Sequence, residues 1–312
     1  MLQVLNSLLP IALLVLLGGA LLQLRFFDEA FRRGLDRLVY WVALPALIVR
    51  VLVDAPTGEV LESVGGMLIA LGGATVAVAG IAWVVAKSIR LPPDEIGVFT
   101  QATFRGNLAF VGLPVLALAT SHHADSSTLL AKAALVFAPT MVLFNLLSVL
   151  VLIAAQHRFD KTLPWTMAKS LLLNPLLLAC AAGLAIWRLD IALPAAATTT
   201  LDLVGRTAAP LALIALGGAL VSYPVGRKVG TAGLAALLKC AALPACALGI
   251  ALWVDLSAED RRTMLVFAAC PTAVASYVLA TQLKGNPALA AAAIVVSTLL
   301  SGVGLAVVLA LS

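Results

Sequence analysis

Residues 104–117 read FRGNLAFVGLPVLA, and they lie inside an apolar run long enough to cross a lipid bilayer. A proline has no N–H to donate, and its ring clashes with the carbonyl four residues before it. A glycine weakens a helix by roughly 1 kcal/mol relative to alanine. The stretch therefore predicts a membrane helix that is interrupted, with these unusual residues at the interruption: Arg105, Gly106, Asn107, Gly112 and Pro114.

The composition places the whole chain in a membrane. Of the 312 residues, 62% are hydrophobic and only 11% are charged, whereas a soluble domain is about half apolar and about a quarter charged. The apolar runs have the length of helices that cross a hydrocarbon core, about 17–25 residues, and lack the alternation of a β-barrel. We therefore predict an all-α integral membrane protein. The net charge of +5 is interpreted as basic loops at the cytoplasmic membrane surface and not as a nucleic-acid surface.

Ten apolar spans can be drawn along the chain, and the connections between them are short. The first span has no lysine or arginine before it, so we interpret it as a retained helix and not as a secretory signal. The spans are 4–24, 38–53, 63–86, 96–119, 128–154, 166–187, 197–220, 231–254, 262–282 and 288–311.

Basic residues alternate between the loops and predict the orientation of the chain. The loops after spans 2, 4, 6 and 8 hold only 3 lysines and arginines, whereas those after spans 1, 3, 5, 7 and 9 hold 12. Positively charged loops stay in the cytoplasm, so both termini are expected on the outer side of the inner (plasma) membrane. The twelve residues are Arg25, Arg32, Arg33, Arg37, Lys87, Arg90, Arg158, Lys161, Lys169, Arg227, Lys228 and Lys284.

The two halves of the chain resemble each other at an offset of 165 residues. At this offset Pro10 meets Pro175, Gly18 meets Gly183, and Pro45 meets Pro210. Because each half holds five spans, an odd number, the second half must enter the membrane from the opposite side. We therefore predict a 5+5 inverted repeat, with one five-helix unit over 1–155 and the other over 165–312.

A second interrupted helix is predicted at the corresponding place in the second half. Span 9 carries Pro271 near its middle, followed by Thr272, Ser276 and Tyr277. Interrupted helices at equivalent positions of an inverted repeat point to a binding site near the bilayer midplane. The other prolines within spans are interpreted as ordinary kinks: Pro10, Pro45, Pro139, Pro175, Pro210 and Pro244.

The residues at the two interruptions suit a small anion. A half-helix that starts near Asn107 would expose N–H groups and the positive end of its dipole. Arg105 adds a charge whose planar fork fits a carboxylate, and the Asn107 amide both donates and accepts. The alternative is that Arg105 extends to the cytoplasmic interface and only orients the helix. The candidate substrate-binding residues are Arg105, Gly106, Asn107, Pro114, Pro271, Thr272, Ser276 and Tyr277.

Five stretches together resemble the auxin efflux carrier family, the malate-permease-like bacterial transporters that are related to the plant auxin exporters. The resemblance covers nearly the whole chain, and the first and last stretches are the most specific. They are RGNLAFVGLP (105–114), NPLLLACAAGL (174–184), APLALIALGGAL (209–220), LLKCAALP (237–244) and PTAVASYVLATQLKGNPALAAAAIVVSTLLS (271–301).

The resemblance implies ten helices with the fold of the bile-acid/sodium symporters. It implies a scaffold domain of spans 1, 2, 6 and 7, and a transport domain of spans 3–5 and 8–10 in which spans 4 and 9 cross at their breaks. It further implies elevator-like transport of a small organic anion, such as a mono- or dicarboxylate, and a homodimer joined through the scaffold. The long hydrophilic central loop of the plant exporters is absent from the sequence.

Other polar residues within the spans carry weaker predictions. Lys239, central in span 8, is interpreted either as a group for charge balance or proton coupling, or as a tether to a half-helix carbonyl end such as the one before Pro271. Asp202, the other candidate for charge balance, lies four residues before Arg206 and is expected to form an ion pair with it. Arg50 and Lys132 are expected to extend to the membrane surface. Asn145 and Asn174 are expected to form interhelical hydrogen bonds. The hydroxyl residues Ser297, Thr298 and Ser301 would line the cavity or join helices.

No pattern in the sequence indicates an enzyme, a metal site or a cofactor. The cysteines Cys180, Cys240, Cys246 and Cys270 lie in apolar runs without CxxC spacing, and His122, His123 and His157 fall in loops. Asp202 is the one carboxylate expected at membrane depth, which disfavours a cation pump. Two alternatives to an organic-anion carrier stay open. One is a channel-like or sensory module without turnover, and the other is a cation-coupled symporter of the bile-acid type.

Overall fold

A computed structural model of the chain describes residues 2–53, 59–120, 126–156, 172–222, 226 and 228–310. Several residues used in the predictions lie outside this set: His122, His123, His157, Arg158, Lys161, Lys169, Arg227 and residues 166–171 of the sixth span. The α-helices of the described residues are α1 (Leu2–Gln23), α2 (Glu29–Leu38), α3 (Leu44–Val53), α4 (Glu59–Ser88), α5 (Pro93–Phe104), α6 (Leu113–Thr120), α7 (Ser126–Gln156), α8 (Pro175–Arg188), α9 (Ala195–Arg206), α10 (Ala208–Ser222), α11 (Val229–Leu237), α12 (Leu243–Trp253), α13 (Ala258–Ala269), α14 (Ala275–Gln282) and α15 (Pro287–Ala310).

The helices confirm the predicted all-α, multi-pass membrane class. Spans 2 and 9 are each divided into shorter helical pieces: α3 follows a π-helical turn, and α13 is separated from α14. Shorter apolar stretches, Leu9–Gln23, Leu108–Thr120 and Pro175–Arg188, fall in spans 1, 4 and 6. Five helical stretches that fall in spans 3, 5, 7, 8 and 10 are long and apolar enough to cross a bilayer: Ser63–Ser88, Ser127–Gln156, Ala195–Ser222, Val229–Trp253 and Pro287–Ala310.

Three prolines are accommodated by a π-helical turn that ends two residues before them. Pro45, Pro114 and Pro244 are each the second residue of the α-helix that follows such a turn. A π turn is wider than an α turn, so the preceding carbonyl no longer needs the missing N–H and avoids the ring. These prolines therefore continue a helix. The turns are Val39–Ala43, Leu108–Gly112 and Leu238–Ala242.

The structure corrects the prediction for Asn174. Its side-chain oxygen accepts hydrogen bonds from the backbone N–H groups of Leu176 at 2.9 Å and Leu177 at 3.3 Å. Asn174 is thus the N-cap of α8, and Pro175 occupies the first helical position, where its missing N–H costs nothing. The amide begins a helix instead of joining two helices, and Pro175 is not a kink.

Helices in the two halves end at positions that differ by the same 165 residues that align the sequence repeats. Three helix ends in the first half have such a partner in the second. The pairs are Gln23 and Arg188, Ser88 and Trp253, and Phe104 and Ala269. Residues that follow the first two pairs share an unusual backbone as well, since φ is 56° at Arg25 and 51° at Asp190, and 55° at Arg90 and 53° at Asp255.

Packing divides the described residues into two compact units. Unit 1 takes those within Met1–Gly65, Ala109–Ala138 and Trp165–Ser222, and unit 2 takes those within Gly66–Leu108, Pro139–Pro164 and Tyr223–Ser312. The chain passes from unit 2 into unit 1 between Leu108 and Ala109, inside the fourth predicted span. It returns to unit 2 between Ala138 and Pro139, inside α7.

Glycines allow the helices of unit 1 to pack backbone against backbone. Helix α1 packs on α10, and α3 packs on α8 and α9. Gly18 of α1 faces the backbone of Ile214, and Gly217 of α10 faces the backbone of Val15. Gly183 of α8 lies close to the Leu52 side chain and the Val49 backbone of α3. Small residues at such contacts are what hold helices together in a membrane, where burial of apolar surface gives little driving force.

Helix α2 contains a buried arginine, and Glu29 links the helix to α10. Arg32 is 6% exposed, and its guanidinium pairs with the carboxylates of Glu29 and Asp36, the latter at 2.6 Å. Glu29 also accepts a hydrogen bond from the Ser222 hydroxyl at 2.7 Å, which links α2 to the end of α10. The hydrogen bond from Arg32 lowers the pKa of Glu29, whereas burial raises the pKa of Asp36 to about 6.

We expect Asp36→Asn to be tolerated better at pH 8 than at pH 5. The pKa of Asp36 is raised from 3.8 to about 6 in the folded protein. Ionisation of Asp36 therefore destabilises the folded state, and this cost is absent below pH 3.8 and reaches its full size above about pH 6. The variant removes this cost. The measurement is the Tm of the detergent-solubilised protein at both pH values, with Glu259→Gln, at an exposed carboxylate, as control. A variant that loses more stability at pH 8 would show that the ion pair with Arg32 outweighs the burial of Asp36.

Candidate functional site

Both predicted interruptions are present within unit 2. Helix α5 ends at Phe104, and helical structure resumes at Leu108; helix α13 ends at Ala269, and α14 begins at Ala275. The second interruption contains Pro271, as predicted. The first does not contain Pro114, which lies in α6 beyond the π turn. The break in span 4 therefore falls at Arg105, Gly106 and Asn107, and the assignment of Pro114 to the break is wrong.

The backbones of the two breaks pair with each other. Gly106 and Thr272 form an isolated antiparallel bridge. The Asn107 N–H donates to the carbonyl of Pro271 at 2.8 Å, and the Ala273 N–H donates to the carbonyl of Arg105 at 2.8 Å. We call residues 105–107 and 271–273 the crossing. Since an unpaired backbone group is costly at membrane depth, this pairing explains how both helices can break there. A half-helix that starts near Asn107 was predicted to expose N–H groups to an anion; the N–H of Asn107 itself is used in this pairing.

Thr272 also fixes the crossing through its side chain. Its hydroxyl donates to the carbonyl of Ala102 at 2.8 Å, in the last turn of α5, where helical carbonyls lack intrahelical donors. Its backbone N–H donates to the Ser297 hydroxyl oxygen of α15 at 2.9 Å. Of the two roles considered for Ser297, joining elements is therefore the one observed. Thr272 acts as a structural clamp between α5, the second break and α15.

Arg105 lies inside unit 2 and is not directed toward a surface, since it is only 6% exposed. Its Nη2 donates to the Oδ1 of Asn145, on α7, at 2.7 Å. This bond confirms the interhelical hydrogen bond predicted for Asn145. A positive charge is thus buried at the first break and oriented by a neutral amide.

Two buried polar atoms beside the crossing have no hydrogen-bond partner within the described residues. They are the Oε1 of Gln101 and the Oγ of Ser276, and their residues are 0% and 1% exposed. The other end of the Gln101 amide, Nε2, donates to the Ser276 carbonyl at 3.0 Å, so the two side chains are neighbours. Leaving a buried polar atom unsatisfied costs about 1–3 kcal/mol. Together they offer one acceptor and one hydroxyl to a ligand.

Gln101 was not among the predicted site residues, although a signal for it exists. It lies four residues before Arg105 and therefore on the same face of α5. Tyr277, which was predicted, is partly buried against the apolar cluster of unit 2 that includes Phe99 and Leu289.

Lys239 makes the tethering contact that was one of its two interpretations. It lies in the π turn Leu238–Ala242 and is 0% exposed. Its Nζ donates to the carbonyl of Ala268 at 2.7 Å. Ala268 is in the last turn of α13, directly before the second break, where carbonyls lack intrahelical donors. The role of Lys239 in charge balance or proton coupling stays a prediction.

The buried carboxylates differ from those expected. Asp202 forms the predicted ion pair with Arg206, at 2.7 Å, but its side chain is 37% exposed and belongs to unit 1. Glu95 and Asp260, in the first turns of α5 and α13, are 3% and 4% exposed. Glu95 pairs with Lys228 and accepts from the Asn286 amide at 2.9 Å. Neither carboxylate was predicted to be buried, because each lies in the first turn of a helix, where carboxylates are common.

All four cysteines are free thiols; Cys180 and Cys270 are buried, and Cys240 and Cys246 are partly exposed. Among the described residues no group of three or more His, Cys, Asp or Glu side chains is arranged to hold a metal ion.

Comparison with known proteins identifies the family. The sequence profile of the family described as membrane transport protein matches residues 3–309. A search of curated proteins finds no match. Because the profile covers nearly the whole chain, and because the chain has the helical membrane class and the paired breaks described above, it belongs to the membrane transport protein family, the auxin efflux carrier and malate-permease-like transporters.

Proposed function

We propose that the protein is a secondary carrier of small organic anions, mono- or dicarboxylates, which bind at the crossing. The proposal is carried by the buried guanidinium of Arg105 beside the unsatisfied atoms of Gln101 and Ser276. A carboxylate can form an ion pair with Arg105 and accept a hydrogen bond from the Ser276 hydroxyl. The Gln101 oxygen needs a donor, which a hydroxyl group or a second, protonated carboxyl group of the cargo supplies. The protein moves this cargo without chemical change.

We further propose the ten-span, 5+5 inverted arrangement for this chain. The common offset of 165 residues supports it at three levels: prolines and glycines in the sequence, helix ends, and the positive φ values of Arg25, Asp190, Arg90 and Asp255. Inversion also agrees with charge, since the positive-φ residues that follow these helix ends are arginines in the first half and aspartates in the second. The arginine ends belong to loops predicted inside, and the aspartate ends to loops predicted outside.

The transport cycle that we propose is elevator-like, in an inner-membrane homodimer with both termini outside. The division into two units supports two bodies, because unit 1 holds the described parts of spans 1, 2, 6 and 7, the expected scaffold, and unit 2 holds most of the other spans. The chain changes unit at Leu108, beside the first break, and at Pro139. The second half of span 4 and the start of span 5 would therefore have to bend or slide if the units move.

Replacing Arg105 tests the site. We expect Arg105→Ala to lower uptake of labelled carboxylates into proteoliposomes at least tenfold, because the buried charge that binds the anion is lost. Arg105→Lys should recover only part of the activity, since lysine keeps the charge but not the fork. The exposed Arg33→Ala serves as control for removal of an arginine. Undiminished uptake by Arg105→Ala would remove Arg105 from the site.

Counterflow tests for turnover. Proteoliposomes loaded with unlabelled cargo should accelerate uptake of the labelled cargo if the protein is a carrier, whereas a channel-like module shows no such acceleration. Omitting sodium, or collapsing the proton gradient, in the same vesicles then shows whether a cation is coupled.

A further inference from the structure

Ser148, on α7, carries another buried polar atom of unit 2 without a partner. The residue is 0% exposed, and its Oγ has no hydrogen-bond partner among the described residues. A buried hydroxyl in a helix can bond to a carbonyl of its own helix, as that of Thr75 on α4 does with Leu71 at 2.7 Å. Ser148 makes no such bond, so its hydroxyl is available to a group that is not part of the described chain.

Two contacts within unit 2 align α5 with α7. Near the start of α5, a Cβ at Gly97 would lie only 2.7 Å from the Cα of Leu152, so the two backbones are in close contact. Directly after the end of α5, the Arg105 guanidinium donates to the Asn145 amide oxygen of α7 at 2.7 Å. The chain runs forward on α5 and backward on α7 between these contacts, so the two helices are antiparallel here.

Gln101 and Ser148 face each other midway between the two contacts. Gln101 is four residues from each of the two contact residues of α5 and therefore lies on the same helix face as both. Ser148 is three residues after Asn145 and four before Leu152, again on one face. The Gln101 Oε1 and the Ser148 Oγ thus lie at the same level of the α5–α7 contact, and neither has a hydrogen-bond partner among the described residues.

The chemistry of these atoms selects a neutral hydroxyl group. Since the Gln101 Nε2 donates to the Ser276 carbonyl of α14, the unsatisfied atoms of three helices come together around Gln101. An amide oxygen only accepts hydrogen bonds, whereas a serine hydroxyl both donates and accepts. A ligand hydroxyl can donate to the Gln101 oxygen and accept from Ser148. An ionised carboxylate has no proton to donate to the Gln101 oxygen, and a methyl group can form neither bond.

We propose that Ser148 binds the cargo and that, together with Gln101, it selects an organic acid with a hydroxyl group about 6 Å from its carboxylate. This spacing separates Arg105 from Gln101, since four helical residues rise by about 6 Å. The inference rests on the proposed function for the carboxylate end of the cargo, which is placed at Arg105. It adds a third helix, α7, to the site and narrows the class of cargo to hydroxy acids.

The experiment compares the binding of 4-hydroxybutanoate and pentanoate, which differ by a hydroxyl in place of a methyl group. Apparent affinities are obtained from the rise in Tm of the full chain in neutral detergent with the concentration of each acid. We expect the hydroxy acid to bind at least about tenfold more tightly. Ser148→Ala should remove most of this preference by weakening the binding of 4-hydroxybutanoate alone. Ser88→Ala, at an exposed serine of unit 2 that bonds to its own helix, should keep the full preference.

The same measurements separate this role from the alternatives. The Tm of Ser148→Ala without ligand should not fall, because the hydroxyl has no partner among the described residues; a large fall would show a structural role and overturn the proposal. Absence of binding by either acid, equal binding of both, or a preference that survives in Ser148→Ala also overturns it. The expected preference in a protein that shows no uptake or counterflow would overturn the proposed transport and keep Ser148 as a binding residue.

Discussion

Replacing Gly18 by leucine is expected to destabilise the protein strongly. A Cβ at Gly18 would overlap the backbone carbonyl of Ile214, which cannot move aside as a flexible side chain can. Overpacking against side chains costs about 1–3 kcal/mol, and here the two helices must separate. We therefore expect a cost above about 3 kcal/mol, which for a chain of this size lowers the Tm by about 5 °C or more, or prevents folding altogether.

The measurement is the yield of monodisperse protein by size-exclusion chromatography, followed by its Tm. Gly217→Leu should behave in the same way, because its Cβ would overlap the carbonyl of Val15 on the facing helix. Gly80→Leu is the matched control, since Gly80 of α4 has open space around it and is exposed. Normal yield and Tm for Gly18→Leu would show that α1 does not pack on α10 through these backbones.

The class of the fold could be predicted from sequence because its signals are local and repeated. Apolar runs of helix length identify the spans, and an offset of 165 aligns Gly18 with Gly183, two glycines that each lie at a helix contact in unit 1. Details that depend on the width of a turn were not predictable in this way. Pro114 was expected to break its helix, but the π turn Leu108–Gly112 relieves the clash and lets the helix continue. Asn174 and Pro175 were read as interior residues although Asn-Pro is an N-terminal helix signal.

The candidate site was predicted in its location but not in its bonding. The breaks at Arg105–Asn107 and Pro271 follow from residues that weaken helices, which a sequence displays. The backbone hydrogen bonds between the two breaks join residues about 165 positions apart. A single sequence does not show such contacts. The hydrogen bond from the Asn107 N–H to the Pro271 carbonyl was therefore not predicted. Gln101 was missed although it lies four residues before Arg105 and so on the same face of α5; its contact with Ser276 is again one between residues far apart in the sequence.

Lys239→Met is expected to reduce transport strongly while leaving the fold intact. The ammonium of Lys239 donates to the Ala268 carbonyl at 2.7 Å, in the last turn before the second break. A hydrogen bond from a charged group contributes about 1.5–3 kcal/mol, or roughly 10- to 100-fold in the equilibrium that forms this geometry. Removing the buried charge also removes its desolvation cost, so the net effect on unfolding should be small. Uptake should therefore fall by roughly 10- to 100-fold with little change in Tm.

Lys87→Met is the matched control, because Lys87 also belongs to unit 2 but is exposed at the end of α4. The uptake of this control should equal that of the unchanged protein. The residual transport of Lys239→Met also separates the two roles of the lysine. If Lys239 carries a coupled proton, the pH dependence of transport disappears in the variant; if it only tethers α13, the pH dependence survives at a lower rate. Unchanged uptake by Lys239→Met would contradict both roles, and a large fall in Tm would mean that the lysine is needed for folding and not for the geometry of the break.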